Sequence, residues 1–120
     1  MLNQLVMVGR IVRDPELKEL DDGKKLSNIT IAVPRSFKNS EGVYDTDFID
    51  CTLWGGIAEN TANYCKAGDM VGIKGRVQST VVEHKEGYKT NKLQVVAERV
   101  TFLAQSKDKE QEKNIEDERA

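Results

Sequence analysis

The spacing of apolar residues changes from a strand-like to a helix-like pattern at only one place in the chain. Up to residue 54, and again from residue 70, apolar residues occur in the short or alternating runs that are typical of strands. Between these parts, Ile57, Ala58, Thr61, Ala62 and Cys65 recur at spacings of three and four, which is typical of an amphipathic helix. The sequence therefore predicts a mostly β fold with one short helix.

Turn residues divide the β-rich part into five predicted strands. These strands span residues 5–12, 26–33, 47–54, 70–82 and 93–103. Pro15 and Pro34 are expected to end the first two, because proline has no amide hydrogen to donate, and Gly55-Gly56 ends the third. In the last strand the alternation slips near Ala97, which indicates a bulge. Five strands with a helix between the third and the fourth predict an all-β, five-stranded Greek-key barrel of the OB type.

Length and composition limit the class of protein. The 120 residues are enough for one domain, and an apolar share of 38% is enough for one small core. No apolar run approaches the roughly 18 residues of a membrane-spanning helix, and the N-terminus lacks the build of a secretory signal. We therefore expect a cytoplasmic protein, in which Cys51 and Cys65 are free thiols.

The acidic excess of the chain lies at its C-terminal end. Residues 1–105 contain 14 basic and 14 acidic side chains, whereas residues 106–120, SKDKEQEKNIEDERA, contain 4 and 6. Because Ile115 is its only large apolar side chain, that segment cannot bury enough surface to offset its ordering entropy. We expect residues 1–105 to form the domain and residues 106–120 to form a charged, disordered tail. A neutral domain permits nucleic-acid binding but does not by itself indicate it.

Alternation along the third predicted strand places two sets of side chains on opposite faces. Those expected to face the core are Ile49, Cys51 and Leu53, and those expected to face away from it are Phe48, Asp50, Thr52 and Trp54. Exposed aromatic rings beside polar groups suit the stacking of nucleobases, because every base has a π-face. The alternative is that this face packs under a loop or against another subunit.

Basic side chains accompany the predicted outward aromatics. Lys74 and Arg76 lie with Gln78 on the outward face of the fourth strand, Arg10 and Arg13 flank the first strand, and Arg35 and Lys38 bracket Phe37. Each of these charges alone is typical of a solvated surface. Together with the aromatics they predict a groove for single-stranded nucleic acid.

Other kinds of chemistry lack the residues that they need. The only histidine, His84, lies in a polar stretch and is expected to be a solvated side chain. The two cysteines lack the CxxC spacing of a zinc site, and residues 68–76, GDMVGIKGR, lack the residue order of a phosphate-binding loop. We therefore expect no enzyme activity, no metal and no cofactor.

The first predicted strand is apolar on both of its faces. One face carries Leu5, Met7 and Ile11, and the other carries Val6, Val8 and Val12. One barrel core can bury only one of these faces. The other face therefore predicts self-association of the chain.

Five segments carry a family resemblance that runs through nearly all of residues 1–104. They are residues 5–16 (LVMVGRIVRDPE), 29–39 (ITIAVPRSFKN), 46–54 (TDFIDCTLW), 58–78 (AENTANYCKAGDMVGIKGRVQ) and 95–103 (VVAERVTFL). These segments closely resemble the bacterial single-stranded DNA-binding proteins. The resemblance implies an OB fold that forms a homotetramer and binds and protects single-stranded DNA, without sequence preference, in replication, recombination and repair. It also implies association with the nucleoid.

The resemblance and the predicted strand faces together give eight candidate DNA-binding residues. The aromatic ones, which match stacking residues of the family, are Phe37, Phe48 and Trp54. The basic ones are Arg10, Arg35, Lys38, Lys74 and Arg76. Among these, Lys74 is placed by strand alternation alone, and Lys38 is a weaker match to the family, as is Tyr44.

The chain departs from the family pattern at three places. Many members carry an aromatic residue where this chain has Val82, and basic or bulky residues where it has Gly55-Gly56. Members usually end in an acidic tip with a terminal Pro-Phe, whereas this sequence ends in ERA. From the last departure we expect poor recruitment of replication and repair proteins through the C-terminus.

Two other functions are compatible with the same barrel. One is an RNA-binding OB module, because stacking by itself does not distinguish deoxyribose from ribose. The other is a protein-interaction paralogue, such as a primosomal subunit, which has kept the barrel and weakened the groove. The neutral domain favours such a paralogue slightly, and the retained Phe37, Phe48 and Trp54 argue against it.

Overall fold

Six strands and one helix follow one another along residues 1–105, the part of the chain that the computed structural model describes. The elements are β1 (Leu5–Ile11), β2 (Lys18–Glu19), β3 (Lys25–Lys38), β4 (Tyr44–Trp54), α1 (Gly55–Tyr64), β5 (Met70–Glu83) and β6 (Lys89–Ala104). The tail predicted for residues 106–120 lies outside the described residues.

Five of the strands close into a barrel in the order β1-β5-β6-β4-β3, with β3 pairing back to β1. The β4–β6 pair is parallel and the other pairs are antiparallel. The predicted five-stranded barrel of the OB type, with its helix after the third long strand, is confirmed. The additional strand β2 pairs with β3 outside this ring. It was not predicted because neither Lys18 nor Glu19 contributes to an apolar pattern.

Every long strand contributes inward side chains to a single core. The buried apolar residues are Ile11, Ile29, Ile31, Cys51, Leu53, Ala58, Cys65, Val71, Ile73, Val96 and Ala97. The barrel closes tightly where β1 meets β3. A Cβ atom on Gly9 would lie 2.5 Å from the carbonyl oxygen of Ala32, so this position requires glycine.

The sequence predicted that Pro34 ends its strand. In the structure the strand continues past Pro34, because the residue opposite the proline still pairs with it. Pro34 pairs with Thr46, and the register then shifts before Lys38 pairs with Tyr44. A proline is tolerated at such an irregularity because its missing N–H is not needed in the ladder. The β3–β4 hairpin is therefore longer than predicted, and Phe37 lies within its irregular part.

The β5–β6 hairpin is also longer than predicted, since β6 begins at Lys89 rather than at residue 93. Val81, expected on the core face of the fourth strand, is 60% exposed because the hairpin extends beyond the barrel. The predicted bulge is confirmed. Lys74 pairs with Arg99 and Gly75 pairs with Ala97, which leaves Glu98 as the extra residue.

Helix α1 lies between β4 and β5 and covers part of the core. It begins directly at Gly55, whose φ of 59° is readily adopted by glycine. It buries Ala58 and Thr61 and ends at Tyr64, so Cys65, the last residue of the predicted helical spacing, lies just beyond it. Within residues 1–105 there is no helix that is both apolar enough and long enough to cross a membrane.

Candidate nucleic-acid interface

The outward face of β4 presents two large aromatic side chains to solvent. Phe48 is 67% exposed and Trp54 is 42% exposed, whereas Cys51 and Leu53 between them are buried in the core. This is the alternation that the sequence predicted. The two aromatic residues lie six positions apart on one face, which corresponds to about 20 Å along a strand.

Thr52, expected on the same outward face, is instead buried. Its hydroxyl group donates a hydrogen bond to Asn28 Oδ1 at 3.1 Å and accepts one from Gln94 Nε2 at 2.6 Å. Strand β6 pairs with β4 at this position, which brings Gln94 over the threonine. The burial therefore results from barrel closure, which local alternation does not encode.

Beside Phe48 lies a groove of about 660 Å³ between β3, β4 and the β5–β6 hairpin. Its polar lining includes Arg13, Asn28, Thr30, Asp50, Thr52, Lys92 and Gln94, and its apolar lining includes Ile49, Val77, Leu93 and Val95. A cavity with an aromatic ring, apolar walls and hydrogen-bonding groups can receive a base together with its sugar and phosphate.

Hydrogen bonds fix several of the polar groups that line this groove. Thr30 Oγ1 donates to Asp50 Oδ1 at 2.7 Å, and Arg13 Nη2 donates to Thr30 Oγ1 at 3.4 Å. Lys92 has no hydrogen-bond or ion-pair partner within residues 1–105. The groove therefore holds two cationic groups whose charge is not neutralised by a direct ion pair.

Arg10 lies near Phe48 across the outer surface of the barrel. Arg10 pairs with Ala32, and Ala32 pairs with Phe48, so the three side chains form one row on the same face. The guanidinium of Arg10 donates to the carbonyl oxygen of Gly68 at 2.9 Å. Within residues 1–105, Arg10 has no carboxylate partner.

Arg35, in contrast, is neutralised within its own hairpin. Its guanidinium donates to both carboxylate oxygens of Asp47, the shortest of these bonds being 2.9 Å, and it lies 3.8 Å from Asp45. The hydrogen bond from Arg35 lowers the pKa of Asp47, and the same contact raises the pKa of Arg35. This pair therefore offers little free positive charge to a phosphate.

The irregular part of the β3–β4 hairpin carries the third aromatic candidate. Phe37 is 63% exposed and is followed by Lys38, whose Nζ atom lies 5.7 Å from the centre of the Tyr44 ring. In such a cation–π contact the ammonium group is attracted to the face of the ring. The hairpin therefore displays an open ring next to a charged group.

The two basic candidates on β5 lie away from the groove of Phe48. Lys74 pairs with Val6 on β1 and with Arg99 on β6, so it shares the face of the exposed β1 valines. Arg76 lies on the outward face further along β5, 3.8 Å from Glu98. The structure thus brings Arg10 and Phe48 together and does not place Lys74 in the same groove.

The sequence analysis did not select Lys92, Asn28 or Gln94 as site residues, and it noted Arg13 without including it. These residues come from strands β3 and β6 and from the segment after β1. They meet only because the barrel closes. One pattern in the sequence could have indicated two of these residues. Lys92 and Gln94 lie two positions apart on the last strand, so their side chains share one face of the hairpin.

The structure also describes the surroundings of Cys51, which was expected to be a free thiol, and of His84. Burial, with a smaller contribution from Asp50, raises the pKa of the Cys51 thiol to about 12, so this group is not a nucleophile at neutral pH. His84 was expected to be a solvated side chain, but its ring also makes contacts within the protein. Its ring stacks on Tyr88 with centroids 4.3 Å apart.

Comparison with known proteins identifies the family. The pattern of the Single-strand binding protein family matches residues 2–103. The chain belongs to this family. Single-stranded DNA-binding protein B of Bacillus subtilis is 43% identical over 103 residues, which are 86% of this chain and 91% of that protein.

Longer relatives within the single-strand binding protein family match the same part of the chain. The single-stranded DNA-binding proteins of Halalkalibacterium halodurans and Oceanobacillus iheyensis are 45% and 46% identical over 103 residues. The matched region covers 86% of this chain but only 61% and 64% of those proteins. This member thus spans about three-fifths of the length of these two relatives.

Proposed function

We propose that the chain binds and protects single-stranded DNA, without sequence preference, in replication, recombination and repair. The observation that carries this proposal is the outward face of β4, where Trp54 is exposed and the exposed ring of Phe48 lies beside a groove that contains Arg13 and Lys92. Family membership and relatives named as single-stranded DNA-binding proteins support it. Residues 1–105 are proposed to be the DNA-binding domain.

The three exposed aromatics are proposed to stack bases. Phe37, Phe48 and Trp54 present open ring faces at separate places on the β3–β4 half of the barrel. Stacking tolerates any sequence because all four bases have a π-face. This accounts for binding without the hydrogen-bond pattern that reads particular bases.

The basic candidates are proposed to contact phosphates to different extents. Arg10 and Lys38 have no carboxylate partner among the described residues, and we add Arg13 and Lys92 because they line the groove. Arg35 and Arg76 first have to leave Asp47 and Glu98. Lys74 is proposed as a peripheral contact.

The test uses Trp54, the only tryptophan of the chain. Titration with oligo-dT is expected to quench its fluorescence substantially, and Trp54→Ala is expected to weaken binding by ~1–3 kcal/mol, the usual contribution of a stacked base. Unchanged emission at saturating DNA would exclude the stacking role. Parallel titration with oligo-U distinguishes DNA from RNA as the ligand, and failure of both to bind would favour a protein-interaction role.

The protein is further proposed to assemble as a homotetramer. Val6 and Val8 on the outward face of β1 are 71% and 49% exposed, and Val12, directly after the strand, is 44% exposed, whereas Ile11 on the opposite face is buried. An aliphatic face of this kind gains free energy when it is covered by another apolar surface. The number of four subunits comes from the family resemblance.

A further inference from the structure

The groove beside Phe48 continues along one face of the β5–β6 hairpin. Pairs of side chains on this face succeed one another from the barrel towards the turn: Gln78 with Gln94, Thr80 with Lys92, and Val82 with Thr90. Gln94 and Lys92 themselves line the groove. The face therefore forms a mainly polar strip that leads out of the groove.

The strip ends at the stacked rings of His84 and Tyr88. The backbone N–H of His84 donates to the carbonyl oxygen of Tyr88 at 2.9 Å, so these residues form the next pair of the hairpin. Nε2 of His84 lies 2.8 Å from Thr90 Oγ1, which places His84 on the same face as Thr90. The two rings are 4.3 Å apart with an angle of 16° between their planes.

This ring pair is held in place and yet open to solvent. The hydrogen bond to Thr90 and the stacking contact restrain the His84 ring, while Tyr88 remains 53% exposed. A ring that is already restrained loses little side-chain entropy when a ligand stacks on it. The pair therefore resembles a preformed stacking surface more than a core contact.

The charges around the tip suit an anionic strand. Within residues 83–92 there are three lysines and two glutamates. Lys89 is 3.4 Å from Glu83, whereas Lys85 and Lys92 have no hydrogen-bond or ion-pair partner within residues 1–105. From Lys92 to Tyr88 is four positions, or about 14 Å along a strand, a distance that a few nucleotides can span.

We propose that the His84–Tyr88 pair is an additional base-stacking site, on which a single strand that leaves the groove beside Phe48 places a base near the tip of the β5–β6 hairpin. This inference rests on the proposed function and extends it. The pair adds length to the binding path, so it acts only on strands long enough to reach it. Short strands that fill the groove do not contact it.

The test compares two lengths of oligo-dT, about 6 and about 16 nucleotides, which lie near the lower and upper ends of the range of site sizes of single OB folds. Tyr88→Leu is expected to weaken binding of the longer strand by about 5- to 10-fold, since one stacked base is lost, and to change binding of the shorter strand less than about 2-fold. Tyr88→Phe keeps the ring and is expected to bind both as the unmodified chain does. Tyr64→Leu, at an exposed tyrosine on α1, is the matched control.

A second measurement does not depend on the variant being folded. The longer oligo-dT, with 5-iodouracil at its end, is crosslinked to the unmodified chain, and the site is mapped by mass spectrometry. A crosslink at Tyr88 or His84 supports the proposal. It is overturned if crosslinks are confined to the β3–β4 strands, or if Tyr88→Leu binds the longer strand as tightly as the unmodified chain. Failure of the proposed function would give a different result, because the unmodified chain would then bind neither the shorter nor the longer oligo-dT.

Discussion

Strands β1 and β4 both expose large side chains on the outside of the barrel, but the two exposed faces differ in chemistry. On β1 the exposed residues include the aliphatic Val6 and Val8, and on β4 they include the aromatic Phe48 and Trp54. The aliphatic face has no rings for stacking, whereas the aromatic face borders a groove with hydrogen-bonding and cationic groups. Exposure alone therefore does not indicate the ligand, because the neighbouring groups determine what each face can bind.

The difference leads to separate roles for the two faces. Covering an aliphatic surface requires a partner that is equally apolar, and each valine that becomes fully buried contributes ~1.5 kcal/mol or more. An aromatic surface can bind, by stacking, a partner that remains partly hydrated and charged. We expect β1 to face a second copy of the chain and β4 to face DNA.

The largest expected effect is on assembly. Val8→Glu places a charge on the β1 face, and burying an unpaired charge in an interface costs several kcal/mol. By light scattering at micromolar concentration we expect this variant to be a monomer and the unmodified chain to be a tetramer. Phe48→Glu puts the same charge on the other face and should leave the mass unchanged. A tetrameric Val8→Glu variant would show that β1 is not the interface.

The next effect is on DNA affinity. Phe48→Ala is expected to weaken binding of oligo-dT by ~1–3 kcal/mol, because a stacked base loses its ring. Its thermal midpoint should change little because the side chain is 67% exposed. The matched control is Tyr64→Ala, at a ring that is 70% exposed on α1. Equal losses in the two variants would contradict a specific role for the β4 face.

A smaller effect, of opposite sign, is expected from Asp47→Asn. This change releases Arg35 for a phosphate, so affinity should rise and the salt dependence should steepen by up to ~0.7 in the log–log slope. Because the pKa of Asp47 is lowered, its charge persists as the pH falls through the ordinary carboxylate range. In the unmodified chain Arg35 is therefore released only below that range.

The control for this variant is Asp22→Asn, which makes the same charge change at an exposed turn. If both variants raise affinity equally, net charge rather than release of Arg35 is the cause. The measurement is the dissociation constant for oligo-dT over a series of salt concentrations, at neutral pH.

The smallest expected effect is that of Arg76→Ala. Arg76 shares its charge with Glu98 at 3.8 Å, so its removal should flatten the salt slope by less than the ~0.7 of one full phosphate contact. Relative affinities for oligo-dT and oligo-dA should not change, since a phosphate contact carries no base information. A changed base preference would place Arg76 against bases instead.

Alternation predicted the bulge at Glu98 and the orientation of Phe48 and Trp54 because these features depend on neighbouring residues in one strand. The barrel was predicted from the number of strands and the place of the helix among them. The residues that line the groove beside Phe48 could not be predicted in the same way. The lining comes from four strands and from the segment after β1, and Thr52 is buried only because Gln94 arrives from β6. The pairing of Arg35 with Asp47 likewise depends on the register of the β3–β4 hairpin.

The sequence also left open which face of β1 is inward, and the structure resolves this choice. Ile11 is buried and the three valines are exposed. Both faces are apolar, so their composition does not determine the choice. The prediction that Pro34 ends its strand was wrong for a related reason. Whether a strand continues past a proline depends on the partner strand.

The parallel contact between β4 and β6 has a consequence for the order of folding. It pairs only Cys51 with Val95 and Thr52 with Val96, and it joins positions far apart in the chain, whereas the two long hairpins join neighbouring segments. Because closing a longer loop costs more entropy, we expect the hairpins to form early and this seam to close after them. The seam borders the groove, so a bound strand that spans β4 and β6 would hold the barrel closed, and amide exchange there should slow most on DNA binding.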